Sequence, residues 1–181
     1  MNVIDEIGLL AISTRLQRLA EQLRKDGALI YKSHGIDFEP KWFPVIYTLH
    51  KKNILSVVEV AAEIGYSHPS TISLLKELEK EGLIKSKKDK EDSRKRLLQL
   101  SDKGHRLIEK MQPVWQVMLS ALSDLTDTHN PIMQAIEEVE QRFHEKSFLE
   151  RAKSPLATKP QSIATKPKSP VPKPGRKPQP K

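Results

Sequence analysis

Apolar residues recur at helical spacing over most of this chain. Across residues 3–33, Leu9, Ile12, Leu16, Leu19, Leu23 and Ile30 lie three, four or seven apart, which predicts one long helix with a single apolar face. Gly35 is its expected stop. Pro40 suits the first turn of a second helix carrying Trp42, Val45, Ile46 and Leu49. Pro44 falls near its start, where a kink is expected but a missing N–H costs little. Ser56 to Glu59 has capping-box spacing and opens a third helix, which Gly65 ends. Ser67 N-caps a fourth, with Thr71, Leu74, Leu75 and Leu78 on its core face and Gly82 as its close. Period-two runs, LIKSKK and KRLLQL, then flank the polar turn DKEDSR and predict a β-hairpin over 83–100. Ser101 caps a long helix with Ile108, Met111, Trp115, Met118, Leu122 and Leu125 on one stripe, bent at Pro113. Asn130-Pro131 opens the last, with Ile132, Ile136, Val139 and Phe143 in register.

Two short helices about a glycine turn, followed by a hairpin, predict a mainly α winged helix-turn-helix fold. Its long N- and C-terminal helices have apolar seams larger than one small core needs, so they are expected to dimerise. The expected domain covers 1–151, with dimerisation helices at about 3–33, 102–126 and 130–151 and a DNA-binding lobe at about 53–101. Residues 152–181 hold eight prolines and no aromatic residue, and read as a disordered Lys/Pro-rich tail.

Composition narrows the chemistry. There is no cysteine, which removes disulfides and thiolate metal sites. No apolar run is long enough to span a membrane. MNVIDEIGLL carries acids where a secretory signal needs bases, so a cytoplasmic location is expected. The net charge of +8 suggests a polyanionic partner. However, residues 152–181 hold seven Lys, one Arg and no acid, so the remaining 151 residues balance at 23 bases against 23 acids. Any binding surface in the body must therefore come from local segregation, as between Lys85 and Arg96.

A recognition helix followed by a basic hairpin suits double-stranded DNA. The helix start offers small polar side chains to base edges, and the hairpin lies along the neighbouring backbone. The candidate contacts are Ser67, His68, Ser70, Thr71, Ser73 and Lys76 on the helix, and Lys87, Lys88, Arg94, Lys95 and Arg96 on the wing. Arg94 at the tip is the candidate for the narrow minor groove, and Asp92 is the candidate partner of Arg94 or Arg96.

Residues 64–104 resemble the MarR family of bacterial regulators. The resemblance rests on Leu78-Glu79-Lys80-Glu81-Gly82-Leu83, on Asp92-Ser93-Arg94, and on Leu100-Ser101-Asp102-Lys103-Gly104. Ser101 stands for the usual Thr, and Ser73 stands where many members carry Arg. The resemblance implies a homodimer on a pseudo-palindromic operator, with two recognition helices about 10 base pairs apart. It also implies a candidate pocket for a small aromatic effector, which would be lined by Tyr31, His34, Phe38, Trp42 and Tyr47; ordinary core packing is the alternative for these residues. FEPKWFPVIYTL and VEQRFHEKSFLERAK are similar to the regulator half of proteins in which such a domain precedes a GNAT-type acetyltransferase, and here the basic tail begins where that domain would start.

No catalytic residue, metal site or cofactor is expected. The six histidines have no i, i+4 pair, and there is neither a nucleophile elbow nor a phosphate-binding glycine loop. Two alternatives to a sequence-specific regulator stand: an architectural DNA-binding protein working through its basic tail, and a regulator half that serves a separate acetyltransferase.

Overall fold

The computed structural model describes residues 2–89, 92 and 95–153. Wing-tip Arg94 and the expected tail beyond residue 153 lie outside them. Contacts divide the chain into two compact units, Met1–Leu19 with Glu138–Lys181, and Ala20–Glu137. The elements are mostly helical, with one small antiparallel sheet, as expected for a winged helix-turn-helix.

The first helix is not continuous. α1 (Val3–Glu6) is capped by Asn2, a 3-10 turn covers Gly8–Ala11, and α2 (Ile12–Ser33) follows. Gly8 takes φ +70°, a left-handed value open to glycine, and this breaks the helix. Apolar spacing is blind to such a break. At the other end of the chain, α7 (Ile132–Glu145) and α8 (Phe148–Ala152) replace the single last helix. Ser147 restarts it through a capping box with Glu150.

The unit Ala20–Glu137 holds the apolar core. A 3-10 turn at Pro40–Trp42 leads into α3 (Phe43–Lys52), with Pro44 in its first turn. A short strand β1 (Ile54–Ser56) precedes α4 (Val57–Ile64) and was not expected. Gly65 closes α4 at φ +68°, and Ser67 caps α5 (His68–Lys80). β2 (Ile84–Lys88) and β3 (Arg96–Leu100) form the hairpin, and the sheet order is β1-β3-β2, antiparallel throughout. α6 (Asp102–Thr126) runs unbroken through Pro113.

Leu74, Leu75 and Leu78 of α5 pack with Val45, Ile46 and Leu49 of α3, Leu98 and Leu100 of β3, and Ile108 and Met111 of α6. Truncating one of the fully buried leucines to Ala is expected to cost about 2–5 kcal/mol. The end of α5 explains two of the three family-like motifs. Leu83 N–H donates to the Leu78 carbonyl at 2.9 Å and Gly82 N–H to Glu79 at 2.9 Å, while Gly82 takes φ +67°. Ser101 then ties the start of α6 to this turn: its N–H donates to the Leu83 carbonyl at 3.0 Å and its hydroxyl to Gly82 at 2.6 Å. The same hydroxyl accepts from Gly104 N–H at 3.0 Å.

This approach leaves no room at Gly104. A Cβ there would sit 2.2 Å from the Leu83 carbonyl oxygen, a backbone atom. Gly104→Ala should therefore destabilise the protein by about 3 kcal/mol, at the upper end of overpacking costs. Thermal denaturation checks this, and an unchanged midpoint would refute the close approach.

Candidate nucleic-acid interface

The polar start of α5 is open. Ser67, His68, Ser70, Ser73 and Lys76 are all exposed. Ser67 sets the helix start: it is extended, at φ −62° and ψ 148°, and its hydroxyl accepts from Ser70 N–H at 3.4 Å and lies 2.8 Å from the Ser70 hydroxyl. Thr71 does not belong to this surface. It is 0% exposed, and its hydroxyl donates to the Ser67 carbonyl at 3.1 Å, so it is a core residue that satisfies itself locally. Its position on the core face outweighs its polarity.

On the hairpin, Lys87, Lys88 and Lys95 are exposed. Lys88 is paired with Arg96 at the outermost rung of the β2–β3 ladder. The turn beyond is closed by backbone bonds, Asp89 N–H to the Lys95 carbonyl at 3.0 Å and Lys95 N–H to Asp92 at 2.8 Å. The Arg96 guanidinium donates to the Glu79 carboxylate of α5. Burial pushes the Glu79 carboxyl up, but the Arg96 and Ser86 hydrogen bonds outweigh it and hold the group below its ordinary value.

A second tie joins α5 to the segment before α3. Glu77 accepts from Lys41 Nζ at 2.7 Å and from Trp42 Nε1 at 3.0 Å. Lys41, Arg24 and Tyr66 border an open depression of about 640 Å³ beside Ser67, Ser70 and Ser73. Sequence reasoning missed Arg24, Lys41, Glu77 and Glu79. Lys41 and Glu77 are far apart in sequence, and no local spacing joins them. Glu79, within the Leu-Glu-x-x-Gly-Leu motif, carried the one usable signal.

The expected effector residues are placed differently from one another. Tyr31 and Phe38 are buried and meet edge to face at 5.1 Å, and Phe38 meets Trp42 at 5.7 Å. The Tyr31 hydroxyl accepts from Trp115 Nε1 at 2.9 Å, and burial pushes its pKa up. His34 is exposed and its Nδ1 donates to the Ile30 carbonyl at 2.9 Å. These four are engaged in packing or capping, because the rings fill the space between them. Tyr47 borders a depression of about 450 Å³ that it shares with His50, Lys51, Gln112, Pro113, Trp115 and Gln116. Among the described residues, no three His, Asp or Glu side chains are gathered as a metal site. No described helix is long and apolar enough to cross a membrane.

Comparison with known proteins agrees with this arrangement. The MarR family model matches residues 34–95. The fold is similar to that of the M. tuberculosis transcriptional regulator MosR in complex with DNA, at 18% identity and a TM-score of 0.63, covering 74% of this chain and 96% of that one. The S. aureus MepR–DNA complex is similar at 16% identity and a TM-score of 0.61, covering 74% and 96%. NadR in complex with 4-hydroxyphenylacetate is similar at 22% identity and a TM-score of 0.51, covering 77% and 94%. At such identities the likeness is one of fold. No curated protein matches the sequence.

The Glu77 tie makes a pH prediction. Its hydrogen bonds from Lys41 and Trp42 hold the Glu77 carboxyl below the ordinary 4.5, and the bond to Glu77 pushes Lys41 above 10.5. A depressed carboxyl stabilises above its unfolded value and loses this as pH falls; a raised amine stabilises below its own and loses this as pH rises. Glu77→Gln should therefore lower the thermal midpoint modestly near neutrality. The difference should close as pH falls below 4.5 and again as it rises past 10.5. A pH series of melting curves for both proteins checks this.

Proposed function

We propose, because the MarR family model matches residues 34–95, that the protein is a sequence-specific transcriptional regulator that binds double-stranded DNA as a homodimer and has no catalytic site of its own. The exposed polar start of α5 beside a cationic hairpin carries this reading. A single helix fits the major groove, about 12 Å wide, and Ser67, His68, Ser70, Ser73 and Lys76 are the side chains it would bring to base edges and phosphates. Lys87, Lys88 and Lys95 would follow the adjoining backbone, and Arg94 would enter the minor groove. The eight tail charges add sequence-independent attraction.

Uncovered apolar faces support the second copy. In the unit Met1–Leu19 with Glu138–Lys181, Leu9 is 82%, Leu16 52% and Phe143 57% exposed. In Ala20–Glu137, Val117, Leu122 and Leu125 are exposed as well. Water-facing stripes of this size on long helices are favoured interfaces. A two-fold dimer implies half-sites about 10 base pairs apart. A small aromatic effector would act at the depression of about 450 Å³, where Tyr47 and Trp115 meet at 5.6 Å and Lys51 lies 5.5 Å from the Tyr47 ring.

Selection from a random duplex library, with light scattering on the same sample, tests the reading. One enriched inverted repeat bound by a dimer is expected, whereas uniform retention of all duplexes, or a monomer at micromolar concentration, would overturn it. On the selected operator, Arg94→Ala should weaken binding by about 1–3 kcal/mol with the dimer intact. Equal affinity in a titration at physiological salt would remove Arg94 from the interface.

A further inference from the structure

The second half of α5 and its C-cap carry three carboxylates, Glu77, Glu79 and Glu81. A helix that lies against phosphates is repelled by each carboxylate left ionised and unpaired. Two of the three are matched within the protein, from opposite sides. Residues two apart on a helix point about 200° from one another. Glu77 accordingly meets Lys41 and Trp42 of the segment before α3, and Glu79 meets Arg96 of β3.

The Glu79–Arg96 pair occupies a particular place in the hairpin. Arg96 opens β3 and stands opposite Lys88 on the last rung of the ladder, so everything beyond it is the wing turn. The pair therefore joins α5 to the base of the wing tip. It is partly sheltered, with the Glu79 side chain 25% and the Arg96 side chain 42% exposed.

We propose that Glu79 and Arg96 are a positioning pair that fixes the wing at its angle to the recognition helix, and that Arg96 is spent on this and makes no phosphate contact. This rests on the DNA-binding reading above. The pair acts through geometry: with the last rung tied to α5, the wing tip and the start of α5 reach their two grooves in one fixed relation. Without the tie, each still touches DNA, but the two no longer have to match the same site.

The alternatives predict opposite signs. If Glu79 were only a surface acid, Glu79→Gln would strengthen binding to every duplex alike. If Arg96 held a phosphate, Arg96→Gln would lower the slope of log K against log salt by about 0.9 per protomer. A positioning pair predicts neither. Glu79→Gln and Arg96→Gln should each weaken operator binding about tenfold and narrow the ratio of operator to random-duplex affinity. Arg96→Gln should leave the salt slope unchanged. The double variant should be no worse than either single, since both remove one interaction. Where Arg96→Gln lowers thermal stability, Arg96→Lys, which keeps the charge without the planar fork, provides the same readouts.

Salt titrations of the full chain and these variants, on the selected operator and on a random duplex, decide the matter. A stronger Glu79→Gln, a reduced Arg96→Gln slope, or additive losses in the double variant would each overturn the pair's role. A wild type that prefers no duplex would overturn the DNA-binding reading, and this inference with it. A wild type with a clear operator whose variants keep their full discrimination overturns the inference alone.

Discussion

The unit Ala20–Glu137 is organised around the contact of the start of α6 with the carbonyls of the turn that follows α5. Helix ends leave carbonyls without partners, and burying them unpaired is costly. Here Ser101 serves both ends of the junction, donating to Gly82 and Leu83 while capping Gly104. Lys103 Nζ adds a bond to the Glu81 carbonyl at 2.7 Å. The backbone of α6 approaches so closely that only a residue without a Cβ fits at Gly104. One junction thus fixes three directions at once: where α5 ends, where β2 departs, and where the long helix α6 begins.

Given that junction, the orientation of α5 needs control along its length and about its axis. The leucines of its core face hold it down, but apolar packing is tolerant of small rotations. Ionic and hydrogen-bonded ties at Glu77 and Glu79 resist rotation in opposite senses. The tie at Glu77 continues inward, because Trp42 meets Phe38 edge to face, Phe38 meets Tyr31 in the same way, and the Tyr31 hydroxyl accepts a hydrogen bond from Trp115 Nε1. Trp115 also borders the depression next to Tyr47. A contiguous set of rings therefore lies between that depression and the Glu77 tie on α5. This is a path of physical contact; coupling along it would require two arrangements of these rings that differ in stability.

Much of the fold could be read from local signals. Ser56, Ser67 and Ser101 announce helix starts by side chain and spacing alone, and the core faces of α5 and α6 follow from period. What escaped depended on geometry that spacing does not encode. Gly8 breaks the first helix only because its φ is positive, and an apolar stripe passes across such a break unaltered. β1 is three residues long, too short to show alternation. The Ser147–Glu150 box was a readable signal, hidden inside a continuous apolar register. Among the interface residues, exposure of Ser67, His68, Ser70, Ser73 and Lys76 follows from their side of α5. Thr71 shared their polarity but sat on the core face, where burial decided. The partners of Glu77 and Glu79 come from residues distant in sequence, and a single chain offers no register from which to foresee them.

The internal pairing also changes how the charge of the chain should be counted. The net +8 is carried by residues 152–181, and the body balances. Within the body, Lys41 and Arg96 are engaged by the Glu77 and Glu79 carboxylates, so their charges add little to a field felt by an approaching polyanion. On the proposed reading, attraction and discrimination are therefore separated along the chain. Long-range attraction falls mainly to the tail, which is indifferent to sequence. Discrimination falls to the start of α5 and the wing, where the gain comes from fit and not from net charge. A protein divided in this way does not need a strongly basic recognition helix. It needs one held at a fixed angle, and Glu77 and Glu79 of α5, costly if left bare beside DNA, serve that purpose through their pairs with Lys41 and Arg96.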